Sequence, residues 1–293
     1  MEHLVRLRDY DYVGGPIPSP NAEPAIFGIT ESDSGTNTFK IKTSAVRQPD
    51  GTYLLNGSKT YQTAFVESAH CLLVARTSPL DKANRKSGIS LFIVDTKLAG
   101  ISATLMNIGM YLPEKNYQTY FENVRLPADA LVGAEDAAIA QLFAGLNPER
   151  IMGAASSVGM GRFALEKAVD YVKTRKVWST PIGAHQGLSH PLAQCHIEVQ
   201  LAKLMMQKAA TLYDNGDDTG AAEAANMAKY AAAEAATRSV DQAVQSMGGN
   251  GLTKEYGVAA MLASARLGRI APVSREMVLN FVAQTSLGLP RSY

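Results

Sequence analysis

The sequence has almost no excess of either charge: 28 Lys and Arg against 27 Asp and Glu leave a formal net charge of +1 over 293 residues. The basic residues are dispersed, so nothing would attract nucleic acid or an anionic membrane. Cysteine is nearly missing. Cys71 in a strand-like run and Cys195 in a helix-like one are too few for a disulfide framework and lack metal-ligand spacing, which predicts buried reduced thiols. His185, His190 and His196 lie close together, but Pro191 interrupts them and no Cys or carboxylate joins them, so no metal is expected. No apolar run is long enough to span a bilayer. The opening Met1-Glu2-His3-Leu4-Val5-Arg6 lacks the apolar core of a signal peptide. A cytoplasmic location is the resulting expectation.

A chain of this length accommodates about two domains. Residues 1–24 read as an irregular leader, because Gly14-Gly15-Pro16, Pro18 and Pro20 break any helix. Over residues 25–132 the runs 39–46, 53–56, 71–75, 89–94 and 117–124 have the period of two that marks strands. Pro49-Asp50-Gly51 forms a hairpin turn between two of them. An antiparallel β-domain, sandwich or barrel, is predicted. Over residues 133–293 Ala, Met, Leu and Gln take over, with helical spacing through 158–172, 192–212 and 221–244. Gly216-Asp217-Asp218-Thr219-Gly220 turns between two of these helices. The predicted class is α+β, with a four-helix bundle following the β-domain.

Two segments carry chemistry. The apolar run Ala25-Ile26-Phe27-Gly28-Ile29 breaks into Thr30-Glu31-Ser32-Asp33-Ser34-Gly35-Thr36, a strand exit able to hydrogen-bond a planar heterocycle through main-chain and Thr groups. Far downstream, Gly248-Gly249 within Gln245-Ser246-Met247-Gly248-Gly249-Asn250-Gly251 lets backbone approach a ligand such as a pyrophosphate. Together they point to a flavin enzyme.

These residues, with Asn56-Gly57-Ser58-Lys59-Thr60-Tyr61-Gln62-Thr63, Arg175-Lys176-Val177-Trp178 and His185-Gln186, resemble the acyl-CoA dehydrogenase family of flavoproteins. The resemblance runs from about Ala25 to Tyr293. It implies bound FAD, an acyl-CoA substrate and electron-transfer flavoprotein as electron acceptor. The helical domain that opens a usual family member is missing upstream of Ala25, so residues 1–24 read as its remnant. Carried over by position, the resemblance places Phe27, Ile29 and Thr30 beside the isoalloxazine ring, with Tyr61 and Thr63 at its other edge. A Tyr ring stacks on a planar face and a Thr hydroxyl donates to it. Arg175 would hold the pyrophosphate or adenosine end of a neighbouring subunit's cofactor while Gln245, Gly248 and Gly249 close on it, which implies a dimer or tetramer, and Trp178 and Gln186 would also be cofactor-binding. Ser274 aligns with a flavin-contacting hydroxyl, and Thr36 and Arg150 with substrate contacts.

Oxidation of a saturated acyl thioester needs a carboxylate to take the α-proton. The resemblance puts the usual base at Pro272, which cannot serve, and some branches of the family place it where Glu149 stands, directly before Arg150. Asn147-Pro148-Glu149 also reads as an ordinary helix start of cap, first-turn Pro and acid. Family register favours Glu149 as base. Pro272 also lacks the N–H that holds the thioester carbonyl in relatives, and losing such a donor costs about 2.7–4 kcal/mol elsewhere. Three readings follow: an FAD-dependent dehydrogenase using Glu149, a catalytically incomplete partner subunit in a hetero-oligomer, and a flavin oxidase or monooxygenase on the same scaffold.

Overall fold

The computed structural model describes residues 25–110 and 114–291; the leader, residues 1–24, lies outside the described residues. Among the described residues two compact units result, 25–108 with 114–145, and 146–291 with 109–110.

The first unit is an eight-stranded sheet. Its strands are β1 (Ala25–Gly28), β2 (Ser44–Arg47), β3 (Tyr53–Thr63), β4 (His70–Arg76), β5 (Ile89–Asp95), β6 (Ile101–Met106), β7 (Asn116–Leu126) and β8 (Leu131–Val132), in the order β6-β7-β3-β2-β4-β5-β8, with β1 paired to β4. Most neighbours are antiparallel, as alternation and short turns require. Two pairings are parallel: β1 along β4, and the single pair Ser44 with Arg76. Gly51 at φ 84° closes the β2–β3 hairpin. β4 and β5 are buried on both faces, which explains their almost unbroken apolar runs. Cys71, Leu73, Phe92, Val94, Phe121 and Val124 form the centre of this core, and Tyr53 meets Phe92 edge-on at 5.0 Å between ring centroids. Gly28 lets β1 lie against β4, since a Cβ there would stand 2.8 Å from Leu73 Cδ1 and 2.9 Å from Cys71 Sγ.

The second unit is helical. Its elements are α1 (Ala138–Thr174), α2 (Gln186–Asp214), α3 (Asp218–Met247), α4 (Met261–Leu267) and α5 (Arg275–Thr285), with the first turns of α1 belonging to the β unit. Ala225, Ala228, Ala232 and Ala236 are buried on α3, and their small side chains permit a close approach by the neighbouring helix. Asp217 caps α3 by accepting from the Gly220 N–H at 2.9 Å. Ser274 caps α5 by accepting from the Met277 N–H at 3.3 Å. α1 differs from its sequence reading at one point. The helix begins at Ala138 and carries Pro148 in its interior, so Asn147 is not its cap. The Asn147 side chain instead accepts from Arg150 Nη1 at 3.2 Å.

Candidate functional site

In the β unit the exit of β1 is held by a buried ion pair. Lys59 Nζ, whose side chain has no exposed surface, donates to the Glu31 carboxylate at 2.9 Å and to the Ile29 carbonyl at 2.8 Å. Glu31 also accepts from the backbone N–H groups of Lys42 at 2.6 Å and Thr43 at 3.0 Å. Burial pushes this carboxyl's pKa up, but Lys59 and the amide donors outweigh burial and hold it below its ordinary value, ionised. Thr30 is thereby fixed beside β3, its carbonyl accepting from the Thr60 N–H at 2.9 Å. Phe27 and Ile29 are half-buried against the cluster containing Ile41, Val74 and Leu91. Tyr61 follows Thr60 on an irregularity of β3, at φ 57°, with 61% of its surface exposed. Thr63 is exposed at the strand end and donates to Asn116 Oδ1 at 2.9 Å. Thr36 is exposed in the turn after β1. Thr30, Tyr61 and Thr63 thus belong to one region of the sheet.

In the helical unit Glu149 is partly buried on α1. Burial raises its carboxyl pKa above the ordinary value, opposed by the adjacent Arg150. Arg150 is 6% exposed, and its Nε finds no acceptor among the described residues. Gly153 lies one turn beyond Glu149 on the same face, and a Cβ at Gly153 would stand 3.9 Å from Pro272 Cδ. Position 272 therefore lies beside the helix face that carries Glu149.

The segment 269–275 is clamped to α3. Lys229 Nζ donates to the Val273 carbonyl. Glu234 receives both Arg269 and Arg275, the latter at 3.3 Å, and the Arg275 guanidinium lies 5.9 Å from the Tyr230 ring centroid. Ser274 stands within this clamp as the cap of α5.

A third group forms where α1 and α3 end. Arg175 follows α1 and donates its N–H to the Tyr171 carbonyl at 2.9 Å. Trp178, 82% exposed, lies in the loop closed by the Lys176–Pro181 bridge. Gln186 opens α2 and Gln245 lies in the last turn of α3, both exposed. Gly248 ends α3 at φ 60°. Asn250 Nδ2 donates to the Tyr171 hydroxyl at 3.0 Å, joining the two helix ends. A Cβ on Gly248 or Gly249 would meet nothing within 4 Å. These exposed backbones, with an Arg and two amide side chains, suit a phosphate-bearing ligand.

Sequence reasoning gave no supporting role to the residues that hold these groups in place: Glu31, Lys59 and Asn250, which stand within the quoted motifs, and Tyr171, Lys229 and Glu234, which do not. Two left a signal. Lys59 is in phase with the buried Tyr53 and Leu55 on β3, and Lys229 is in phase with Ala225 and Ala232 on α3. A cation on an apolar face requires an internal partner.

A β unit followed in the chain by a helical unit defines an α+β fold, and comparison with known proteins specifies the family. Residues 26–124 match the acyl-CoA dehydrogenase middle domain and residues 139–287 the acyl-CoA dehydrogenase C-terminal domain. The chain is 68% identical over 267 residues to acyl-CoA dehydrogenase FadE12 of Mycobacterium tuberculosis, covering 91% of this chain and 68% of that one. It is 32% identical to an acyl-CoA dehydrogenase of Bacillus subtilis, covering 98% of this chain and 72% of the relative. Among solved structures, butyryl-CoA dehydrogenase from Megasphaera elsdenii superposes with a TM-score of 0.84 at 29% identity, over 90% of this chain and 68% of that one. The chain belongs to the acyl-CoA dehydrogenase family, a family of oxidoreductases.

Proposed function

We propose that this protein removes the α- and β-hydrogens of an acyl-CoA thioester, with Glu149 taking the α-proton. The observation that carries this reading is the position of Glu149, partly buried and one turn from the residue that faces Pro272. Burial makes its carboxylate a stronger base than an exposed one and matches it to a weakly acidic carbon. Arg150 keeps a positive charge beside it after proton transfer. FAD is the fitting cofactor, and when bound it supplies the acceptor for the β-hydrogen as hydride. Phe27, Ile29 and Thr30, with Tyr61 and Thr63, would hold its ring, Tyr61 by stacking and the Thr residues by hydrogen bonding. Arg175, Trp178, Gln186, Gln245, Gly248 and Gly249 would hold the phosphate and adenosine end of a second copy's cofactor, and Ser274 would contact the flavin from the clamp. Thr36 and Arg150 would serve the substrate. Electron-transfer flavoprotein would accept the electrons.

Anaerobic mixing of the FAD-loaded protein with acyl-CoAs of several chain lengths tests the reading. Loss of the oxidised flavin absorbance with at least one of them is expected, and no bleaching with any would contradict it. The incomplete-partner reading has one observation in its favour, the N–H missing at Pro272. It predicts bleaching only after a second, complete family member is added.

A further inference from the structure

The segment that lies beside Gly153 of α1 is bonded to a buried amine on α3. We propose that Lys229 is a positioning residue for residues 271–274, fixing through the Val273 carbonyl the backbone that lies against the face of α1 carrying Glu149. The proposal rests on the dehydrogenase reading for its catalytic consequence but not for its structural one.

Lys229 is only 2% exposed and sits on the Ala-rich face of α3, where an uncompensated ammonium would be strongly disfavoured. Its Nζ donates to the Val273 carbonyl. A trans peptide sets its N–H opposite its carbonyl. Anchoring the Val273 carbonyl to α3 therefore turns the Ser274 N–H away from α3, and that N–H has no acceptor among the described residues. The backbone next to Pro272 thus presents an oriented, unused donor to a chain that lacks the N–H at position 272. A developing enolate oxygen needs such a donor.

The segment is also tied by the Ala271 N–H donating to the Leu267 carbonyl and the Arg275 N–H donating to the Arg269 carbonyl, both at 2.9 Å, and between them the Val273 carbonyl is bonded to Lys229. Glu234 holds Arg269 and Arg275 at the two ends, and Pro272 lies close enough to α1 that a Cβ at Gly153 would stand 3.9 Å from its Cδ. The charged groups acting on Lys229 are Arg150 from α1 and Glu276 from α5. Glu234 on its own helix is engaged by the two arginines, and no charged group from α2 acts on it among the described residues. Burial first and Arg150 second lower its pKa to about 8, with Glu276 opposing. The ammonium donates a charge-assisted bond below that value, and the neutral amine a weaker one above it.

Hydrogen–deuterium exchange of the full chain, read on peptides covering 270–276 and corrected for the intrinsic pH dependence, tests this directly. In Lys229→Met exchange there is expected to rise at least tenfold at pH 7, with α1 peptides unchanged. In Lys229→Arg protection is expected to persist from pH 7 to pH 9, whereas in the unmodified chain it falls several-fold over that range. Unchanged exchange in Lys229→Met would overturn the proposal. If Lys229→Met does not fold, the pH series decides: equal behaviour of Lys229→Arg and the unmodified chain would overturn it. With FAD and acyl-CoA bound, Lys229→Met is expected to lose kcat tenfold or more with KM within about threefold, and Lys229→Arg to recover it. Absence of bleaching in the unmodified protein would refute the dehydrogenase reading and leave the exchange result to judge Lys229.

Discussion

Glu149 and Lys59 are both buried charges, with opposite consequences. Glu149 has no hydrogen-bonding partner among the described residues, and its pKa is raised above 4.5 in the folded chain by burial, opposed by Arg150. Its cost to stability is absent below the unfolded value and grows as pH rises through the folded one. Glu149→Gln is therefore expected to raise the melting temperature at pH 7, by about 2–4 °C for each kcal/mol relieved. Calorimetry would read it, and a lower melting temperature would mean that the carboxylate is stabilised in place. Lys59 is the reverse case, because its partners are complete. Lys59→Met strands the Glu31 carboxylate and is expected to cost about 3–5 kcal/mol in urea unfolding. A loss below about 1 kcal/mol would show that the ion pair does not hold the β1 exit.

Among the elements, β1 ends at a glycine packed closely against its partner strand. It lies parallel to β4, and a Cβ at Gly28 would crowd the Leu73 and Cys71 side chains. Gly28→Ala is expected to destabilise the β unit by about 1–3 kcal/mol through overpacking and to weaken FAD retention by displacing Thr30. Equilibrium dialysis would measure the retention, and native affinity in a destabilised variant would separate β1 from the cofactor. The strand spacing, the Pro49-Asp50-Gly51 hairpin and the Asp217 turn were legible because each rests on short-range rules of period and turn chemistry. The parallel course of β1 was not, because it depends on contact with a strand more than forty residues away. The start of α1 was misread for a related reason. Asn147-Pro148-Glu149 has the local chemistry of a helix start, and the helix nonetheless continues from Ala138 because tertiary packing of Ala138 and Leu142 overrides the Pro penalty.

At the scale of the whole molecule, apolar surface is left uncovered on the helical unit. Ile197, Leu201 and Leu204 recur at helical spacing on α2 and are 58–62% exposed, and Trp178 is more exposed still. A stripe of this kind marks an association surface. Light scattering is expected to give a multiple of the 31.3 kDa chain mass, and a stable monomer at micromolar concentration would contradict it. The candidate site was legible in the sequence as a set of residue types in family register, but its supports were not. Lys59, Lys229 and Glu234 act through partners far away in sequence, which no local pattern specifies.

Glu149 as the base is the centre of the proposed reaction. The most direct test is the single-turnover rate of flavin bleaching by a bleaching-competent acyl-CoA, compared under anaerobic conditions between the unmodified protein and Glu149→Gln loaded to equal FAD occupancy. Loss of a general base lowers rates by about 10²–10⁴-fold, and a fall of that size with acyl-CoA binding retained is the predicted result. Bleaching at an unchanged rate would contradict it and assign the α-proton to another group.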